Sequence, residues 1–224
     1  MGNNLSKASV SESYFCYTRS EMLKFIPSDV CKVLEIGCAE GAFGQLLKDS
    51  RKVEVWGVEI SESAANKARL KLDHVVIGDF ENDKLNIPTS YFDCVIFNDV
   101  LEHFRYPWAV LKKTLEYLKK DGCVVASIPN VRYFENLKNI VLHKKWEYVE
   151  SGIMDKTHLR FFTEKSICNM FKRCGYDIVR IEGIRSERFP WKIGLLNRLL
   201  FNALDDTKFQ QFACVAHRKK SADL

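Results

Sequence analysis

Short apolar runs rich in β-branched residues recur along the chain at Val30 to Ile36, Val53 to Ile60, His74 to Ile77, Phe92 to Phe97 and Cys123 to Ile128. Their length and composition predict buried strands. Between them the period lengthens: Ala42 to Lys48, Ser61 to Leu72 and Pro107 to Lys119 carry apolar residues at helical spacing. Ser61 is placed as an N-cap and Pro107 in a first turn. Alternating strands and helices imply right-handed crossovers and a parallel sheet covered on both faces, a doubly wound α/β fold.

After Pro129 the alternation breaks. Residues 129–162 are aromatic and basic and read as a cover inserted into the domain, before a helix at Thr163 to Gly175 and strands at Tyr176 to Glu182 and Phe209 to His217. Residues 190–204 form an amphipathic pattern, with Trp191, Leu195, Leu196, Leu199, Leu200, Phe201 and Leu204 available to one broad face. The expected role is a helix packed on the sheet, the alternative a membrane-surface or dimer helix. Tyr14, Phe15 and Tyr17 suggest an N-terminal helical segment over residues 1–28, followed by a domain at 29–218 and a tail at 219–224.

Composition sets few further bounds. With 224 residues, 46% hydrophobic and 28% charged, the chain suits one ordinary domain. The lack of an 18-residue apolar run and of a charged start before an apolar stretch argues against a spanning helix or a secretory signal, so a cytoplasmic location is expected. The eight cysteines include no C-x-x-C pair and read as reduced thiols rather than disulfides or metal ligands. The net charge of +5 is spread without a long basic block, and nucleic acid is not an expected partner. Met1-Gly2-Asn3-Asn4-Leu5-Ser6 satisfies the N-myristoylation pattern, although one acyl chain binds membranes only marginally.

The candidate chemistry begins at Val33 to Gly44, VLEIGCAEGAFG, where an apolar run ends in a carboxylate and a turn of small residues leads into a helix. Such a turn lets a ligand approach the backbone. A dinucleotide loop needs glycine at its second position to admit pyrophosphate; here that position is Ala39, and Glu35 would repel the phosphates. The same carboxylate suits a ligand carrying an ammonium and a sulfonium. Glu59, ~20 residues beyond Gly37, can accept from ribose hydroxyls. After the third strand, Asp79 can accept from an exocyclic amino group while Phe80 covers a purine face. Each residue also has a purely structural reading: Gly37 in a tight turn, Glu59 as a helix cap, Asp79 in an Asx-turn, Phe80 in the core.

In their order and spacing, VLEIGCAEG, GVEIS, GDF and FNDVLEHFRYP resemble the motifs of the class I S-adenosylmethionine-dependent methyltransferases, over about Val30 to His217. The resemblance implies a Rossmann-like, seven-stranded, mostly parallel sheet with helices on both faces, and S-adenosyl-L-methionine as cofactor. It places Glu35, Gly37 and Gly41 at the methionine part of the donor, with Cys38 and Ala39 in the same turn. Glu59 and Ile60 fall at the ribose, Asp79 and Phe80 at the adenine, and Asn98 with His103 at the boundary between donor and acceptor.

Methyl transfer is an in-line displacement needing alignment and exclusion of water, and no metal is expected. A hydroxyl acceptor must lose its proton, which calls for a general base. His158 is the first candidate, with Asp155 three residues away to orient it if the segment turns helically, and His103 is the second. Arg160 can hold an acidic substrate or a backbone carbonyl. The absence of an N-P-P-aromatic segment disfavours planar amino acceptors. The DKTHLRFFT stretch, with SIPN before it, resembles methyltransferases among bacterial cell-surface glycan and sugar-modifying enzymes, implying O-methylation of a sugar, nucleotide sugar or glycan. Tyr133, Phe134, Trp146 and Tyr148 then stack on sugar rings or pack the cover. The alternatives are a quinone-like or natural-product acceptor and a non-catalytic S-adenosylmethionine-binding regulator; Glu35 and Ala39 oppose a nicotinamide-dependent dehydrogenase.

Overall fold

The computed structural model of the chain describes residues 18–187 and 191–219. Seven strands form one sheet: β1 (Lys32–Ile36), β2 (Glu54–Glu59), β3 (His74–Ile77), β4 (Phe92–Asn98), β5 (Leu118–Pro129), β6 (Tyr176–Ser186) and β7 (Phe209–Arg218). Their order is β3-β2-β1-β4-β5-β7-β6. All neighbours pair in parallel except β7, which runs antiparallel to both β5 and β6. This is the α/β class expected. The order reverses between β1 and β4, and the carboxyl ends of strands at such a switch point form the ligand crevice of open α/β sheets.

Side-chain alternation along the strands supplies two cores. On one face Leu34, Ile36, Val95, Phe97, Val124 and Ala126 pack beneath Val110, Leu111, Ile167 and Phe171 of α3 (Pro107–Tyr117) and α5 (Glu164–Arg173). On the other, Val33, Cys94, Ile96 and Val125 meet Phe43 and Leu47 of α1 (Ala42–Ser50) and Ala68 of α2 (Glu62–Ala68). Helix ends follow local chemistry: Ser61 Oγ accepts from Ala64 N at 3.4 Å, Pro107 opens α3, and Thr163 with Ser166 forms a capping box on α5. The predicted helix at Pro107 to Lys119 stops at Tyr117 because Leu118 already pairs with Phe92.

The cover opens with α4 (Phe134–Val141) and continues irregularly. Val131 N donates to Phe162 O at 2.9 Å, and Leu159 N and Arg160 N both donate to Glu102 O. The far end of the cover is thereby fixed over the carboxyl end of β4. Ser20–Phe25 forms a 3-10 helix whose Met22 and Phe25 bury in the second core; Tyr14, Phe15, Tyr17, the Gly2 acylation pattern and residues 220–224 lie outside the described residues.

The amphipathic segment forms α6 (Trp191–Leu199), but Leu195, Leu199, Leu200 and Phe201 are exposed, Leu199 by 70% and Phe201 by 96%, so these four do not pack on the sheet as expected. The segment joins antiparallel neighbours, a connection that need not cross a sheet face. Polar contacts anchor it instead: Asn197 donates to Asp205 Oδ1 at 2.7 Å and accepts from Leu204 N at 2.8 Å. No described helix is long and apolar enough to cross a membrane.

Candidate active site

The turn after β1 adopts a conformation that its small residues permit. Gly37, Ala39 and Gly41 have φ of 69°, 48° and 75°. A Cβ on Gly37 would lie 2.7 Å from Val100 Cγ2, so this position demands glycine for space as well as for φ. Gly37 N and Cys38 N donate to Val58 O at 2.8 and 3.1 Å, and Ala39 N donates to Glu59 Oε2 at 2.9 Å. Glu59 Oε1 accepts from Ser61 N at 2.9 Å. Its carboxylate thus ties the turn to the start of α2, and, with about four lone-pair sites, retains capacity for further donors. Cys38 is buried, which pushes its thiol pKa up.

Glu35, 3% exposed, stands beneath this turn. Burial pushes its carboxyl up to about 8, only partly offset by Asn98 Nδ2, which donates to Oε1 at 3.3 Å. Glu35 Oε2 and Asn98 Oδ1 have no hydrogen-bond partner. Two buried acceptors without donors make a site that favours a cationic, hydrogen-bearing ligand. Asp79 accepts from Glu81 N at 2.8 Å and from the Asn82 amide at 2.6 Å, so its Asx-turn is real. The Phe80 ring lies in the core, its centroid 5.7 Å from that of Tyr117, although the residue also borders the cleft; Ile60 is exposed at the rim.

The opposite wall is the 3-10 turn Leu101–His103 beneath the cover. Here Asp155 departs from the expected role: its Oδ1 accepts from Thr157 N at 2.7 Å and Thr157 Oγ1 at 2.6 Å, while His158 Nδ1 faces Ile153 O at 2.9 Å. A carbonyl, not the carboxylate, orients the imidazole, because the segment forms a turn closed by a Val149–Asp155 bridge instead of a helix. His103 Nδ1 faces Thr157 O at 3.3 Å, and the two imidazole centroids are 4.8 Å apart. Burial lowers both pKa values. Arg160 is spent on the Arg105 carbonyl, at 2.6 and 3.1 Å, the structural of its two readings. Both halves line one cleft of ≈ 1570 Å³, which exceeds the ~300–1,000 Å³ of a single-ligand pocket and accommodates a donor and an acceptor together.

Two features had little signal in the sequence. Glu102 is 1% exposed, neither carboxylate oxygen has a hydrogen-bond partner, and Oε1 lies 3.9 Å from His158 Nε2. Its one clue is its place beside His103 in FNDVLEHFRYP. Arg19, whose Nη2 donates to Ser127 Oγ at 2.9 Å and Gln211 Oε1 at 3.1 Å, gave none.

A methyltransferase-domain family matches residues 12–181. A ubiquinone biosynthesis O-methyltransferase of Neisseria meningitidis serogroup A is 25% identical over 168 residues, covering 70% of this chain and 69% of that protein. The protein of the same name from Idiomarina loihiensis is 28% identical over 162 residues, covering 68% and 64%. Among solved structures, an S-adenosylmethionine-dependent methyltransferase from Archaeoglobus fulgidus superposes with a TM-score of 0.63 at 20% identity, covering 88% of this chain and 91% of that one. A chain of the complex between the Haloferax volcanii Trm112 methyltransferase activator and a methyltransferase gives 0.64 at 16% identity, covering 91% and 89%. These two structures share the fold, and the two sequence relatives are named for quinone rather than sugar chemistry. The chain belongs to the methyltransferase-domain family and is a class I methyltransferase with S-adenosyl-L-methionine as its methyl donor.

Proposed function

We propose that the chain O-methylates a hydroxyl on a quinone-like aromatic ring. One observation carries the reading: beyond the glycine turn the cleft offers Tyr133, Trp146, Val149, Ile153 and Met154, set among Lys145, Glu147, Glu150 and Lys156, and ends at His103, His158 and Glu102. The aromatic and apolar side chains of this wall suit a planar ring, and the polar cluster suits the hydroxyl that must lose its proton. The names of the sequence relatives support the same acceptor class.

In this reading Glu35 and the turn Gly37, Cys38, Ala39 and Gly41 receive the aminoacyl part of the donor, with Asn98 at the acceptor side. Glu59 and Ile60 take the ribose, and Asp79 with Phe80 flanks the adenine. The hydroxyl proton leaves at the His103–His158–Glu102 cluster as the oxygen attacks the methyl carbon; the O–CH3 bond forms, the S–CH3 bond breaks and the sulfonium becomes a thioether. In the simplest form His158 Nε2, its lone pair available because Nδ1 faces a carbonyl, takes the proton.

The test is transfer of label from methyl-labelled S-adenosylmethionine to ortho-dihydroxybenzoates with and without an isoprenoid tail, beside monosaccharides, nucleotide sugars and glycans. Label in the extracted aromatic is expected. Label confined to the sugars overturns the acceptor and restores the glycan reading drawn from DKTHLRFFT.

A further inference from the structure

We infer that Glu102, His103 and His158 form a site for a divalent first-row transition cation, zinc by preference, at the acceptor end of the cleft. One ligand atom from each residue lies within 4.8 Å of the others. Two imidazoles and one carboxylate facing an open cleft are the donor set of catalytic zinc and of related open metal sites. Magnesium, which prefers an oxygen shell, is the poorer fit.

Three independent features point to a cation. Glu102 is 1% exposed, neither of its carboxylate oxygens has a hydrogen-bond partner, and Oε1 lies 3.9 Å from His158 Nε2, a buried acceptor that a fold leaves unmet only at a cost. A cation supplies what both oxygens lack. Second, His158 Nδ1 lies 2.9 Å from Ile153 O and His103 Nδ1 lies 3.3 Å from Thr157 O. A carbonyl only accepts, so the proton sits on Nδ1 and Nε2 carries the lone pair. This is the support that metal-bound histidines commonly have, their other ring nitrogen held by a backbone carbonyl or carboxylate. Third, the cluster is bound from both sides: Leu159 N and Arg160 N donate to Glu102 O at 2.9 and 3.0 Å, so the cover that carries His158 is pinned to the turn that carries the other two residues. The 3.9 Å between Glu102 Oε1 and His158 Nε2, and the separations of up to 4.8 Å within the group, must shorten to roughly 3.3 Å around a zinc ion with ~2.0–2.2 Å bonds, so binding draws all three side chains inward.

The inference deepens the O-methylation reading and rests on it for the acceptor. At the cation's open position the hydroxyl is acidified; its proton passes to solvent, the O–CH3 bond forms and the S–CH3 bond breaks, with no change of oxidation state. With the cation bound the two imidazoles act as ligands, so solvent replaces His158 Nε2 as the acceptor of the hydroxyl proton.

The experiment scores the cation without turnover. Chelator-treated full chain, with exposed Cys31 replaced by serine to remove a competing thiol, is titrated with zinc by calorimetry and with cobalt(II) by visible absorption. S-adenosylmethionine is titrated into the same samples. One zinc per chain is expected, with cobalt bands of a nitrogen and oxygen set and no thiolate charge-transfer band. Glu102→Gln and His158→Ala should each weaken zinc by at least about 100-fold, beyond the ~10–100-fold cost of losing an outer-shell partner, while donor binding persists. Should either variant fail to fold, the cobalt spectrum and zinc stoichiometry of the Cys31→Ser chain decide alone. No zinc uptake, a thiolate spectrum, or uptake unchanged in the variants overturns the site. Donor binding in the same titration then shows that the methyltransferase reading survives, whereas loss of transfer to every acceptor would strike that reading and leave a stoichiometric zinc site standing.

Discussion

Glu35 is an acid held out of water with half its carboxylate unmet, and its ionisation is coupled to what binds above it. Its folded pKa of about 8 is raised over the ordinary 4.5, so in the free chain its contribution to stability is fully present below about pH 4.5 and is lost as pH rises through about 8. A cationic ligand reverses the preference by favouring the carboxylate. Donor affinity, measured calorimetrically between about pH 6 and 7.5 where an α-ammonium stays mostly charged, is therefore expected to rise by up to about tenfold per pH unit. Glu35→Gln should flatten that slope, and the difference between the two melting-temperature profiles isolates this carboxyl. Gly37 makes a steric counterpart. Gly37→Ala places a side chain at φ +69° and 2.7 Å from Val100, and is expected to cost at least ~1–2 kcal/mol in chemical denaturation together with measurable donor affinity.

Among the elements, those with a strong local pattern were legible in the sequence. The β3 strand at His74–Ile77 falls where its apolar run predicts, Ser61 caps the helix that its chemistry announces, and α5 follows Thr163, where a helix is expected to begin. What was not legible depended on partners distant along the chain. Helical spacing between Asp155 and His158 suggested a dyad, but the turn closes on Val149 and gives the imidazole to Ile153. Glu102 reads as one of several polar residues in FNDVLEHFRYP, and only the cover brings His158 to it. The apolar face of α6 failed in the same way, since an amphipathic pattern states that a face is apolar and not what covers it. Because Leu199 and Phe201 are exposed, the Leu199→Ser, Phe201→Ser double variant should change unfolding free energy by no more than ~0.5 kcal/mol per site. A loss of several kcal/mol would instead mean that the helix packs on the sheet.

At the scale of the molecule, the site is assembled by contacts that close the chain on itself. Arg19, before the first strand, forms an ion pair with Asp99 and donates to Ser127 on β5 and Gln211 on β7, while Gln211 Nε2 donates to Asp99 Oδ2 at 3.0 Å. Ser127 Oγ in turn donates to Asp99 Oδ1 at 2.8 Å and accepts from Asp99 N at 3.1 Å. Three distant segments therefore fix Asp99, which has φ of 55° and stands between Asn98, the partner of Glu35, and Val100, which packs on Gly37. Breaking a fully buried pair costs ~3–5 kcal/mol; Asp99 is 21% exposed, so Arg19→Ala is expected to cost about 2–3 kcal/mol. For a chain of this size that is roughly 5–10 °C of melting temperature. The same substitution should weaken donor binding although Arg19 is assigned no contact with the donor, because it releases the turn that seats Asn98 and Val100. An Arg19→Ala, Asp99→Asn double variant should lose less than the sum of the two single losses, since the second change removes the charge that the first leaves unpaired. Additive losses would show instead that Arg19 acts on its own segment, and that the cleft holds its shape without the Arg19 contacts.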